Sequence, residues 1–316
     1  MEFSAVQNFN SITKTSNLSR PAWITIGCFD GVHLGHQHLI KEMINAAQMN
    51  NGESIAFTFS PHPAQYFKRT KDRFILLPHE EKIQYLSNLG IDKIITLRFD
   101  QELAACSARQ FVKKIMESQN LKSLWVGYDF SLGANRSGDT SSLDLLSKEL
   151  DFELKVIPPL MIKNEIISSS SIRTFLQNGD VEKSSAFLGR PFALKEFVIH
   201  GDGRGSKIGI PTANLKISEE TLIPESGVYA TLTTIDNQIY QSVTGVGYRP
   251  TFMNGNTIPS VETHIMDLDY NLYGKKIKVE FIKRIRPEYK FSAVEDLIDQ
   301  IKKDISISQE VLSHAA

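Results

Sequence analysis

Cysteine is almost missing from this chain of 316 residues: Cys28 and Cys106 stand far apart and form no C-x-x-C pair. That scarcity excludes a disulfide framework and makes a reducing cytoplasm the expected compartment. An excess of charge of either sign is missing too, with Lys+Arg at 35 and Asp+Glu at 36. Such balance gives no electrostatic reason to expect a nucleic acid or an anionic membrane as partner. No apolar run is long enough to span a bilayer. The opening stretch MEFSAVQNFNSITKTSNLSR lacks the basic-then-apolar order of a secretory signal. It is expected to be a mobile terminus leading into the first strand, with an organellar transit peptide as the other reading. Internal repeats and low-complexity tracts are also absent.

What is present falls into two rhythms. From Ala22 to about Gly189, short apolar runs (AWITIG, SIAFTF, IDKIITL, SLWVG, FELKVIPP) alternate with helical patterns. Ile40, Met43, Ile44 and Ala47 recur at i, i+3, i+4, i+7, which predicts one apolar helical face. Ser107 and Gln110 predict a capping box, and Gly90 a left-handed helix stop. Alternation at this spacing predicts a Rossmann-like, doubly wound parallel sheet with helices on both faces. Past Gly189 the sequence becomes β-rich, and Asp236-Asn237-Gln238 predicts a hairpin turn. One amphipathic helix with Val294, Leu297, Ile298 and Ile301 ends the chain. The second part is therefore expected to be a small closed antiparallel barrel with a C-terminal helix. The expected domains are residues 1–186 and 187–316.

The stretch GCFDGVHLGHQHLI, residues 27–40, sits between a strand and a helix, at the carboxyl end of the strand, where ligands bind in open parallel sheets. Gly27 lets the chain leave the strand tightly, Asp30-Gly31 is a turn pair, and Gly35 lets a bulky ligand approach the backbone. His33 and His36 flank the N-terminus of the helix, where free N–H groups favour anions. Three readings stand at this point: a polar turn with surface histidines, a zinc site, and a cradle for a phosphate chain. The zinc reading lacks a third ligand, and helical zinc pairs are usually spaced i, i+4.

Other polar clusters invite similar readings. Ser168 to Ser171 open a predicted helix and, with Arg173, form either a phosphate clamp or an N-cap beside a surface arginine. In the loop GYDFSLGANRSGD, Asp129 could hold a ribose or ring donor and Arg136 a phosphate; an ordinary surface connection is the alternative. His62 in SPHP is a weaker ligand candidate. Thr212 and Asn214, two apart in an extended stretch, point the same way and offer neutral oxygens to a hard cation; a plain turn is the alternative. GDGRGSKIG does not meet the Walker A pattern. Alternation puts Glu262, His264 and Met266 on one strand face and Val261, Thr263 and Ile265 on the other. Arg249, Arg284 and Arg286 read as barrel-rim cations.

GCFDGVHLGH resembles the His-x-Gly-His signature of nucleotidylyltransferases in the form typical of FMN adenylyltransferases. The resemblance continues through FTFSPHP, VGYDFSLGANRSGD and SSSSIRTFLQNGDVEKSSAFLGRPF. From GDGRGSKIGIPTANL through GVYA, GYRPTF, VETHIMDLDYNLYG and IRPEYKFSAVEDLIDQI it resembles riboflavin kinase. The ordered set resembles the bacterial bifunctional riboflavin kinase/FAD synthetase family over nearly all of residues 22–304. It implies phosphorylation of riboflavin to FMN by the second half and adenylylation of FMN to FAD, with pyrophosphate release, by the first. ATP is the implied co-substrate, with Mg2+.

The resemblance implies roles residue by residue. His33, His36 and Arg173 are catalytic in the first half, with Gly27, Phe29, Asp30, Gly35, Ser169 and Ser170 on ATP phosphates and Asp129 and Arg136 on flavin. In the second half Gly203, Gly205 and Lys207 line a phosphate loop, Thr212 and Asn214 hold Mg2+ with ATP, and Glu262 is the general base. Three positions depart from the family pattern: Cys28 stands where Asn is frequent, Ser170 where Thr is usual, and Glu196 where Gly is common. They leave two alternatives, a single retained activity or a flavin-binding regulator.

Overall fold

The computed structural model describes residues 5–9, 20–68, 73–134, 137–201, 205, 208–250, 257–268 and 270–313. Internal contacts divide the chain into two compact units, Met1–Ser169 and Ser170–Ala316.

The first unit begins with β1 (Ala5–Phe9), β2 (Ala22–Ile26), α1 (Leu34–Met49), β3 (Glu53–Ser60) and a short α2 (Pro63–Tyr66). It continues with α3 (His79–Asn88), β4 (Lys93–Arg98), a short α4 (Gln101–Ala105), α5 (Ala108–Ser118) and β5 (Leu121–Gly127). A small hairpin, β6 (Ser131–Leu132) and β7 (Gly138–Asp139), leads to α6 (Thr140–Leu150) and β8 (Glu153–Ile157). The hairpin β9 (Met161–Ile162) and β10 (Glu165–Ile166) follows. The main sheet has the order β1-β4-β3-β2-β5-β8, and every pairing in it is parallel. The order reverses direction at β2, so the end of β2 is a topological switch point.

Helices cover both faces. Ile24, Phe57, Ile95 and Leu124 share one apolar cluster with Phe111, Val112 and Ile115 of α5. Trp23, Ala56, Ile94 and Trp125 share the other with Leu39, Ile40, Met43, Ile44 and Ala47 of α1. The capping box at Ser107 forms as its sequence predicts, and Gly90 takes the left-handed conformation at φ 90°. The opening stretch differs from the expected mobile terminus. Ala5–Phe9 pairs in parallel with Lys93–Leu97, which gives the backbone groups at the outer edge of β4 their partners.

The second unit is a closed barrel behind two helices, α7 (Ser169–Gln177, straddling the division) and α8 (Val181–Leu188). The strands are β11 (Phe192–Ile199), β12 (Ala213–Leu215), β13 (Gly227–Ile235), β14 (Gln238–Pro250), β15 (Thr257–Ile265) and β16 (Lys276–Arg286). They close in the order β11-β12-β15-β14-β13-β16 through antiparallel pairs. Asp236 and Asn237 both take positive φ, giving the tight two-residue hairpin that their side chains favour. α7 and α8 go with the barrel: Glu225 N–H donates to Leu176 O at 2.9 Å, and α8 packs on β11 and β16.

Inside the barrel, Tyr229, Ile277, Val279 and Phe281 are fully buried. Beside them runs a chain of buried hydroxyls, Thr233–Ser242–Thr231–Thr244–Thr263, linked at 2.7 to 2.9 Å. Each hydroxyl has at least one partner in the chain, and Ser242 Oγ also reaches Thr231 O at 3.0 Å, so these polar groups are paired in an apolar interior. The terminal helix α9 (Val294–Ser313) packs on β13, β14 and β16. It is fastened by Asp304, 1% exposed, which receives a bidentate fork from Arg286 at 2.8 to 3.1 Å. Arg286 is thus an anchor for the helix, not the rim cation that its place near the strand end suggests. Arg284 likewise donates to Ser226 O and Asn178 O, tying the turn after α7 to the barrel.

Candidate functional site

The loop after β2 carries the first site. Gly27 N–H continues the sheet ladder to Phe57 O at 3.0 Å. A Cβ on Gly27 would lie 2.8 Å from the Phe29 ring, so only glycine lets that ring fold back. The Phe29 ring meets the edge of His36, with centroids 5.3 Å apart at 83°. His33 is the N-cap of α1: its Nδ1 accepts from His36 N–H at 3.3 Å. The two imidazoles stack, centroids 3.6 Å apart and 18° from parallel. With Nδ1 of His33 used as an acceptor, the neutral ring carries its proton on Nε2. Burial, reinforced by the neighbouring His33 and Lys82, holds His36 well below the usual imidazole range. His36 therefore rests as a neutral ring at the positive end of a helix. A Cβ on Gly35 would press on the His33 ring at 3.2 Å. Its bareness makes room for an imidazole.

Asp30 belongs to the scaffold. It is 3% exposed, and its carboxylate accepts from Leu76 N–H and Leu77 N–H at 3.1 to 3.2 Å. Ser169, the last residue of the first unit, donates through Oγ to Asp30 O at 2.9 Å. Ser170 is exposed and Arg173 half-buried on the first turns of α7. Asp129 lies exposed in the turn after β5. Arg136, Gly203 and Lys207 lie outside the described residues, as does the Arg249 side chain. His62 caps α2 through Nδ1, which accepts from Ala64 N–H at 3.1 Å.

One feature of this edge went unread in the sequence. Phe59, Tyr66, Phe67 and Phe99 meet edge to face, with centroids 5.3 to 5.8 Å apart, and Tyr66 and Phe67 are exposed. The four come from two strand ends and α2, and only the parallel pairing of β3 with β4 assembles them.

The second site lies on the outside of the barrel. Val261, Thr263 and Ile265 face inward and are buried, while Glu262 and His264 face out, as alternation predicts. Met266 sits past the strand end and is buried in the turn. Asn214 pairs directly with Glu262 across β12 and β15. Thr212 Oγ donates to Glu262 Oε2 at 3.3 Å, and Ser260 Oγ to Oε1 at 3.0 Å. Gly201 is a close approach: a Cβ there would be 2.3 Å from Asn214 Nδ2. Gly205 brings the phosphate-loop candidate against Thr212, its missing Cβ 3.3 Å from Thr212 Oγ. His264 Nδ1 lies 2.8 Å from Pro211 O and steadies the same turn. The oxygens of Thr212, Asn214 and Glu262 are hard donors suited to Mg2+. Among the described residues no cluster of three His, Cys, Asp or Glu side chains could hold a metal ion. No helix of the described residues is long and apolar enough to cross a membrane.

Comparison with known proteins divides the chain the same way. The family model for FAD synthetase matches residues 15–171, and that for riboflavin kinase matches residues 188–312. The bifunctional riboflavin kinase/FMN adenylyltransferase of Bacillus subtilis strain 168 is 36% identical over 285 residues, covering 89% of each chain. That of Escherichia coli strain K12 is 32% identical over 289 residues, covering 91% of each. A crystal structure described as a macrolide-efflux protein from Streptococcus pneumoniae superposes with a TM-score of 0.86 at 28% identity. It covers 96% of this chain and 98% of its own, so the likeness extends over both halves of the fold. With its FAD-synthetase region first and its riboflavin-kinase region second, the chain belongs to the family of bifunctional riboflavin kinase/FMN adenylyltransferases, ATP-dependent transferases that make FMN and FAD.

Proposed function

We propose that each reaction is carried by the residues just described: riboflavin phosphorylation at Glu262, and FMN adenylylation at the His33/His36 stack. The observation that carries the reading is Glu262 held between Thr212 and Ser260 opposite Asn214. A carboxylate oriented by two hydroxyls is prepared to take a proton, here from the terminal ribityl hydroxyl of riboflavin. Such a base contributes roughly 10²–10⁴ in rate. The freed oxygen attacks the γ-phosphorus of ATP, the bond from that phosphorus to the β,γ-bridging oxygen breaks, and ADP leaves. Thr212 and Asn214 would hold the Mg2+ that accompanies ATP, which spreads the phosphate charge when bound.

In the first unit FMN phosphate attacks the α-phosphorus of ATP and pyrophosphate leaves. This needs alignment and charge stabilisation, and no covalent protein intermediate. His33 donates through Nε2–H, and His36 through the ring beside it, to oxygens that gain charge. Losing one such donor costs on the order of 10²–10³ in rate. The exposed rings of Tyr66 and Phe67 offer apolar surface against which the flavin ring system packs. Asp129 accepts from ribose or ring N–H groups. The cytoplasm is the compartment consistent with free thiols at Cys28 and Cys106.

Labelled ATP tests the reading. Label on the γ-phosphorus is expected in FMN made from riboflavin, and label on the α-phosphorus only in FAD. Label from the α-position in FMN would contradict it.

A further inference from the structure

Lys82 is an uncommon lysine. It sits on α3, is only 6% exposed, and takes no part in the adenylylation just described. Its Nζ donates to Cys28 O at 3.1 Å and to Phe59 O at 3.3 Å. These carbonyls belong to the chain as it leaves β2 and β3, the two neighbouring central strands. Cys28 O also receives Thr58 Oγ at 3.3 Å. A second clasp joins the same two segments, since Asp30 accepts from Leu76 and Leu77 just before α3. The loop bearing Phe29, His33 and His36 is thus held from below by the start of α3. A buried ammonium is costly, so a site that keeps one gains something an apolar side chain would not supply.

We infer that Lys82 is a positioning residue for adenylyl transfer: it pins the Cys28 and Phe59 carbonyls and so sets a positive charge at the root of the loop that leads to His36. The inference rests on the assignment of adenylylation to this loop. The groups that interact with the charge are Cys28 and Asp30 on the loop, His36 on α1, and His79 at the start of α3, where Glu80 acts in turn on His79. Cys28 and Asp30 favour the ammonium, while burial opposes it. The ammonium in turn disfavours a proton on His36 and on His79. His36 Nδ1 is buried without a hydrogen-bond partner among the described residues, so no local acceptor offsets that effect. Burial is the main cause of the neutral His36 ring, with His33 and then Lys82 adding to it, while Lys82 holds the loop on which that ring stacks against His33.

Three substitutions separate charge from packing. Lys82→Met removes charge and donors, Lys82→Gln removes the charge but keeps a donor, and Lys82→Arg keeps both. The ring proton of His36, assigned by its loss in His36→Ala, is titrated by NMR in the free protein. Riboflavin phosphorylation by the same chain reports folding. In Met and Gln the His36 midpoint is expected to rise by about one pH unit. The acid limb of FMN-to-FAD conversion should move up with it, and kcat should fall about tenfold. Phosphorylation should hold, and Arg should restore the low midpoint. If Met fails to fold, Gln decides, being equally uncharged. Unchanged His36 titration in both neutral variants would overturn the inference, as would equal loss of both activities in all three. A raised midpoint with unaltered FAD synthesis would instead contradict the placing of adenylylation at this loop.

Discussion

The hydroxyl of Thr212 and the carboxylate of Glu262 meet at 3.3 Å, joining residues 50 positions apart across the β12–β15 seam. Thr212 is thus a bridge: it orients the base with its hydrogen and leaves its oxygen for a cation. In Thr212→Val the bridge is lost while size is kept. The Mg2+ concentration for half-maximal riboflavin phosphorylation should rise about tenfold. FMN adenylylation, measured in the same preparation, should not change.

The Arg286–Asp304 fork predicts a stability effect remote from either reaction. Asp304→Ala would leave a guanidinium at the base of α9 without its carboxylate. Breaking such a buried pair costs about 3–5 kcal/mol. Urea denaturation followed by far-UV circular dichroism should show that loss. Replacing both partners by apolar residues, Arg286→Met with Asp304→Leu, should recover much of it.

Acid should weaken the first unit through His79. Burial first, and Lys82 second, push this imidazole down to about 4, with Glu80 opposing. The unfolded chain titrates near the ordinary 6.5, so between these values it binds the proton that the folded state refuses. Stability is therefore full above about 6.5 and declines as pH falls toward about 4. His36, shifted the same way, adds to the slope. The urea midpoint measured from about pH 7 to about pH 4.5 should fall, and His79→Gln should flatten that fall.

Much of the architecture was legible in the sequence because its signals are local. The strand–helix alternation, the stripe of Ile40, Met43, Ile44 and Ala47, the box at Ser107 and the turn at Asp236-Asn237 each act within a few residues. The outward face of Glu262 followed from alternation alone. What escaped depends on pairing at a distance. β1 is a short strand separated from the next by a long polar stretch, and only the open edge of β4 gives it a place. Lys82 reads as a solvated helix charge until the strand ends above it are known. Asp30 reads as a ligand beside two histidines until Leu76 and Leu77 are found on its carboxylate. The hydroxyl chain in the barrel likewise emerges only when three strands are laid together.

One measurement bears most directly on the assignment of one reaction to each unit. Purified protein is incubated with ATP, Mg2+ and either riboflavin or FMN, and the flavins are separated. His36→Ala should stop FAD formation, by a factor on the order of 10²–10³, while FMN still accumulates from riboflavin. Glu262→Ala should stop FMN formation, by roughly 10²–10⁴, while added FMN is still converted to FAD. Equal impairment of both steps by either substitution would contradict the account.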